Sequence, residues 1–154
     1  NKLENVLPFN MALAAGNGIQ RMGSPRDKRG DSMTSLLLPD KESAIEVLCL
    51  TWQHWLELME EPKIDCLKMD VEGGEFTLLP SMKKYLEARK PGLYLSLHPH
   101  LLDEGTRERE MTKVVETLAS YRHYIDNTGI EQKVESLLER DRLHKASSCL
   151  FLPV

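Results

Sequence analysis

An α/β fold with a sheet that is largely parallel in its middle is what this sequence predicts, and three observations carry that reading. Short apolar, partly β-branched runs alternate along the chain with stretches of helical spacing. Turn residues punctuate them, at Asn17-Gly18, Pro62 and Pro91-Gly92. The densest run, "KIDCLKMDV", leads straight into "EGGE", so that three carboxylates and two adjacent glycines gather where a buried strand should end.

The elements follow in order. "NVLPFNMALA" reads as a strand, closed by the tight-turn signal Asn17-Gly18 between two extended pieces. Gly16-Asn17-Gly18 is not a phosphate loop, because "IQRMGSPRDKRGDS" behind it carries Gly23, Pro25 and Gly30 and cannot open a helix. Residues 23–35 are polar, charged and glycine-bearing, and read as a surface loop. "AIEVLCLTW" is a second strand and "WQHWLELMEE" a short amphipathic helix stopped by Pro62. "KIDCLKMDV" is a core strand. Phe76, Leu79, Met82 and Leu86 then share one helix face, with Pro80 placed to kink or restart that helix. "PGLYLSLHPH" is a third core strand, and residues 102–121 form a helix with an acidic start and an apolar face at Val114, Val115 and Leu118. The tail offers "RHYIDNTG", a charged helical stretch "EQKVESLLERDRLH" and a last strand "SSCLFLPV", with the closing strands pairing antiparallel.

At 154 residues the chain suits one domain, since a chain of this size buries about two-thirds of its unfolded surface. Hydrophobic residues at 41% and charged residues at 29% exclude a disordered class. The net charge of -4 comes with both signs interspersed, which argues against a nucleic-acid partner and against a polybasic membrane surface. No apolar run approaches the roughly 18 residues that span a bilayer, and no signal-peptide pattern opens the chain. Cys49, Cys66 and Cys149 are odd in number and set in apolar runs, so the reading is of buried, reduced thiols in a cytoplasmic protein.

In open α/β sheets ligands bind outside the carboxyl ends of the strands, where "DVEGGE" sits. Asp70 and Glu72, two apart at a strand end, point to one side and are candidate site residues, although strand-end acids also serve as caps and turn residues. Glu75 falls in the first turn of the next helix and reads as a structural cap. His98 and His100 flank Pro99 at the end of the next strand. If that strand neighbours "IDCLKMD", an imidazole meets Asp70 or Glu72 and serves as a general base on a hydroxyl. A divalent metal site is the minority reading, because the ligand count is not legible from spacing, and no metal is assigned. His54, His123 and His144 read as surface or packing residues, and Trp52 with Trp55 as the apolar face of their helix.

"IDCLKMDVEGGEFTLLPSM" resembles the signature of the FkbM family of S-adenosylmethionine-dependent methyltransferases, a strand reading Asp-x-x-Lys-x-Asp-x-Glu-Gly that runs into a helix with a following Glu. "NVLPFNMALAAGNG", "GDSMTSLLL", "IEVLCLTWQHWLE" and "PGLYLSLHPH" are similar to that family's flanking strands, loop and short helix. Trp52-Gln53 departs from the family's Leu-Asp after the corresponding Thr. The resemblance implies a Rossmann-like class I methyltransferase sheet, mostly parallel with an antiparallel C-terminal hairpin. It also implies that the family's glycine-rich cofactor loop and first two strands, on the order of 60 residues, would precede residue 1. The chain, 1–154, then corresponds to the C-terminal part of the domain. Those strands would lie between "NVLPFNMALA" and "KIDCLKMDV", so that an edge must be covered, re-paired or joined by a second copy.

The implied activity is methyl transfer from S-adenosylmethionine to a hydroxyl of a sugar or small metabolite. Asp70 would line the methyl-transfer crevice, Glu72 would support it or the acceptor, and His98 would be the base. Ala12 and Leu13 would lie near the adenine. Two other readings stand beside it: a non-catalytic remnant that serves as an interaction scaffold, and a metal-dependent hydrolase that uses Asp70, Glu72, His98 and His100.

Overall fold

The computed structural model describes residues 4–24, 35–37, 39, 40, 42 and 44–153. Among the described residues, eight strands and three α-helices follow in the order β1 (Ala12–Leu13), β2 (Gly18–Met22), β3 (Ile45–Leu50), α1 (Trp52–Leu58), β4 (Cys66–Met69), α2 (Glu75–Arg89), β5 (Gly92–Leu97), α3 (Glu104–Leu118), β6 (His123–Asp126), β7 (Glu131–Lys133) and β8 (Ser147–Phe151). The chain is a mixed α/β structure, as its alternating pattern predicts.

The strands form two sheets. β3 takes β1 parallel on one side and β2 antiparallel on the other. The second sheet has the order β4-β5-β8-β6-β7. Within it β4 and β5 are parallel, whereas the β5·β8, β8·β6 and β6·β7 pairs are antiparallel. The antiparallel C-terminal pairing matches the expectation, but a mostly parallel sheet does not. Of the antiparallel pairs, β6·β7 is joined by a tight turn and β5·β8 and β6·β8 by long connections, while α2 supplies the crossover that the parallel β4·β5 pair needs. Among the described residues, the β4 edge opposite β5 pairs with no strand.

Several local expectations also shift. The first strand shortens to Ala12–Leu13, and the extended pieces around Asn17-Gly18 do not pair with each other but flank β3. Asn17 instead accepts a hydrogen bond from the Thr51 amide at 2.8 Å, just ahead of α1, whose N-cap is Thr51. "EQKVESLLERDRLH" begins as β7 and a 3-10 turn at Val134–Leu138, because Tyr124 and Ile125 of β6 offer a pairing edge that wins over helical propensity. The loop expected at 23–35 lies outside the described residues from 25 to 34, and its ends meet at a Gly23–Ser35 bridge. Pro80 leaves α2 unbroken. Cys49 and Cys149 are buried as read, but Cys66, on the outer strand β4, is exposed.

One buried cluster joins α2 and α3 to the five-stranded sheet, through Leu79, Met82 and Leu86, Met111, Val114 and Leu118, and Leu93, Leu95 and Leu97. Each such side chain, fully buried, contributes about 1.5–3 kcal/mol. Tyr121 packs on Phe151 and donates to the Pro91 carbonyl at 2.8 Å, which ties the end of α3 to the entry of β5; burial raises its phenol pKa to about 12. Among the described residues no helix is long and apolar enough to cross a membrane.

The β6–β7 turn is held by Asp126. Its carboxylate accepts from the Thr128 hydroxyl and amide and from the Ile130 amide, and the Thr128 hydroxyl bond is the main reason its pKa falls well below 3.8. A depressed carboxylate contributes stability above its unfolded pKa and loses it as pH falls through the folded one. Denaturant midpoints measured from pH 5 downward should therefore drop more steeply for the wild type than for Asp126→Asn. Leu95→Ala should cost about 2–5 kcal/mol of unfolding free energy in the same assay.

Candidate functional site at the carboxyl ends of β4 and β5

The parallel pairing of β4 with β5, in the register Met69 opposite Leu95, brings both strand exits to one edge. Asp70 follows the last residue of β4, and His98 the last residue of β5. Between β4 and α2 the chain turns within five residues, closed by the Gly74 amide on the Val71 carbonyl at 3.0 Å. Glu72 takes φ 46° and Gly73 φ 93°. A left-handed non-glycine residue is uncommon and costs on the order of 1–3 kcal/mol, which the surroundings must offset. One such contact is the Ser35 hydroxyl, which donates to the Glu72 carbonyl at 2.8 Å. At Gly73 a side chain would meet both the positive φ and the Leu37 methyl group.

Glu75 opens α2 and is wholly buried. Its Oε2 accepts from the Gly73 amide at 2.9 Å, and its Oε1 accepts from the His98 amide at 2.6 Å and contacts His98 Nδ1 at 3.1 Å. A carboxylate only accepts, so Nδ1 carries the proton and, in the neutral ring, Nε2 is left as the acceptor. Nε2 faces outward, 3.7 Å from Asp70 Oδ1 and 3.9 Å from Glu72 Oε1. The other Asp70 oxygen pairs with Lys68 Nζ at 3.2 Å. The hydrogen bond to Glu75 raises the imidazole pKa; burial opposes it, and the negative charges of Glu75, Glu72 and Asp70 add to it. His98 is 8% exposed as a residue, and Nε2 is the ring nitrogen that makes no hydrogen bond among the described residues.

Beyond β5, Arg107 of α3 donates from Nε to the Pro99 carbonyl at 2.9 Å and from its guanidinium to the Leu102 carbonyl at 3.0 Å. These bonds fix the turn that carries His98 to α3. His100 is exposed, its ring centroid 6.0 Å from that of His98.

A cavity of about 410 Å³ lies against this site, lined by Ala12 and Leu13 of β1, Trp52, Met82, Asp70 and Glu72 among others. A larger one, about 700 Å³, lies at the opposite, amino ends of β4 and β5, around Lys63, Asp65 and Pro91, away from the acids and the imidazole. Asp70 and Glu72 line the smaller.

The chain matches the family model of the methyltransferase FkbM domain over residues 12–134. It belongs to the FkbM methyltransferase family. It matches no curated protein and no solved structure.

In this FkbM chain the structure brings Asp70, Glu72 and His98 together and places Ala12, Leu13 and Asp70 on one cavity, while His100 is exposed and is not part of that cluster. Glu75 is the residue the sequence reading undervalued. It does begin α2, but it makes no capping bond within the helix and instead holds a strand end 23 residues away. The nearest sequence signal was its place three residues after Glu72, which does not by itself separate a cap from a buried ligand of the next strand. At the family departure, Trp52 is buried against Trp55 and Tyr85, and Gln53 is exposed and bonds Glu57 at 3.0 Å.

Removing a buried, fully bonded carboxylate leaves three donors unpaired. Glu75→Ala should cost about 3–5 kcal/mol by chemical denaturation, the range for breaking a buried charged pair. Gly73→Ala should also destabilise, by at least about 1 kcal/mol, through its positive φ and the Leu37 clash.

Proposed function

We propose that this chain carries the methyl-transfer crevice of an S-adenosylmethionine-dependent O-methyltransferase, on a Rossmann-like class I sheet, acting on a hydroxyl of a sugar or other small metabolite. The observation that carries the reading is His98: its Nδ1 is tied to buried Glu75, and its Nε2 turns toward Asp70 and Glu72 beside the cavity of an FkbM-family chain.

The residues fit the cofactor. Ala12, Leu13, Met82 and Trp52 give the cavity an apolar wall for a flat base, and Asp70 and Glu72 give it hydroxyl acceptors and negative charge beside a sulfonium. Trp52 Nε1 is buried with no hydrogen-bond partner among the described residues, a donor left for an acceptor that a ligand brings. When bound, S-adenosylmethionine supplies a methyl group activated by a positive sulfur.

The chain's own contribution is to align the acceptor and take its proton. Asp70 Oδ1 and Glu72 Oε1 accept hydrogen bonds from the acceptor and orient it. His98 Nε2 takes the hydroxyl proton, and Glu75, bonded to Nδ1, stabilises the imidazolium that results.

Calorimetric titration of the 154-residue chain with S-adenosylhomocysteine tests the reading. Micromolar binding is expected, weakened about tenfold or more in Asp70→Ala, where a charge-assisted contact is lost. His98→Asn should keep that binding and lower methyl transfer to a panel of sugar acceptors by about 10²–10⁴-fold, the usual contribution of general base catalysis. A folded chain that binds no S-adenosylhomocysteine would overturn the proposal in favour of a scaffold role.

A further inference from the structure

We infer that Asp70, Glu72 and His98 form a binding site for a divalent transition-metal cation, with His98 Nε2, Asp70 Oδ1 and Glu72 Oε1 as its three protein ligands. One ligand atom from each of the three lies within 4.8 Å of the others. Separations of 3.7 and 3.9 Å from the imidazole nitrogen to the two carboxylate oxygens suit a central ion with bonds of about 2.0–2.2 Å meeting at an open angle. The Asp70 side chain, 40% exposed, has the freedom to close the remaining gap.

Acids that gather at a strand end do not by themselves make a site. The second observation is the imidazole. The His98 side chain is only 10% exposed, yet its Nε2 makes no hydrogen bond among the described residues and is aimed between the two carboxylates. Glu75 completes the pattern, since metal-ligating histidines donate their other ring N–H to a carboxylate that fixes tautomer and orientation. Lys68 holds Asp70 by Oδ2 and leaves Oδ1 toward the site. Three carboxylates face one imidazole and one lysine, so even with both bases protonated the cluster keeps a surplus negative charge.

The mixed oxygen and imidazole set favours Mn²⁺, Fe²⁺, Co²⁺ or Zn²⁺ over Ca²⁺, which prefers oxygen alone. Three protein ligands leave coordination positions open for small oxygen ligands. The role of the cation rests on the methyl-transfer reading: two neighbouring oxygens of an acceptor would occupy those positions, and a hydroxyl so bound is acidified. In the cation-loaded site His98 would be a ligand rather than the base, the cation would lower the pKa of the acceptor hydroxyl, and the proton would leave to solvent on the exposed Asp70 side.

The test is calorimetric titration of the chain, stripped with chelator, with MnCl₂ and separately with ZnCl₂. It is run alongside S-adenosylhomocysteine titrations with and without the cation. One cation per chain at micromolar affinity or tighter is expected. Asp70→Asn and Glu72→Gln should each weaken it at least about tenfold, and Glu75→Gln about 10–100-fold. Because Glu75 and His98 are buried, the exposed position Asp70 carries the decision, with circular dichroism to certify folding. No cation binding by the folded chain, or binding unchanged in the Asp70→Asn/Glu72→Gln double variant, would overturn the site. S-adenosylhomocysteine binding without any cation binding overturns the cation site and leaves methyl transfer standing. Cation binding lost in the Asp70 variant, with no S-adenosylhomocysteine binding under either condition, supports the site and removes the methyl-transfer reading.

Discussion

The Glu75 carboxylate is the constraint on which the site depends. A buried negative charge is tolerated only when donors meet it, and here the Gly73 amide, the His98 amide and the His98 ring do so. Those donors belong to the turn after β4 and to the exit of β5. One carboxylate at the start of α2 therefore ties both strand ends together. The left-handed backbone at Glu72 and Gly73 follows from the same requirement, because the chain has to reverse quickly enough for α2 to start against β5.

This local knot sits at the parallel β4·β5 pair, the one parallel pair of the five-stranded sheet among the described residues. β4, α2 and β5 form a strand–helix–strand unit, so the helix that crosses over also delivers the buried acid. The antiparallel strands beyond β5 contribute mass and burial. Leu93, Leu95 and Leu97 are fully buried, β8 covers the other edge of β5, and Tyr121 and Arg107 anchor the two ends of β5 to α3 and its flanks. A central strand so held gives the His98 imidazole a fixed origin.

Burial sorts the three acids into different tasks. Glu75 is sealed and serves as the positioning group; Glu72 is half-buried, with its backbone held by Ser35; Asp70 is exposed and shared with Lys68. The same carboxylate group thus supplies a support, a wall and a solvent-facing contact. With Glu75 already committed to His98, the charge left over belongs to Asp70 and Glu72. Both face the cavity lined by Ala12 and Leu13, and a proton, a hydroxyl donor or a cation is what such a surface accepts.

Much of this was legible in the residues. Alternating apolar runs and helical faces determined the mixed α/β class and the places of α1, α2, α3, β4, β5 and β8, because periodic burial is written locally. The motif Asp-x-x-Lys-x-Asp-x-Glu-Gly determined the family and pointed to Asp70 and Glu72, and two histidines after an apolar strand pointed to His98. What only the tertiary structure decided were the non-local matters. Nothing in "EQKVESLL" says that the edge of β6 will take its first three residues as a strand. Nothing in composition says that β1 and β2 will flank β3 in a separate sheet, or that Cys66 will lie on an outer strand. Above all, Glu75 in a helical first turn has the sequence of a cap, and its task is set by His98, a partner 23 residues away that only the parallel register of β4 and β5 brings within 3.1 Å.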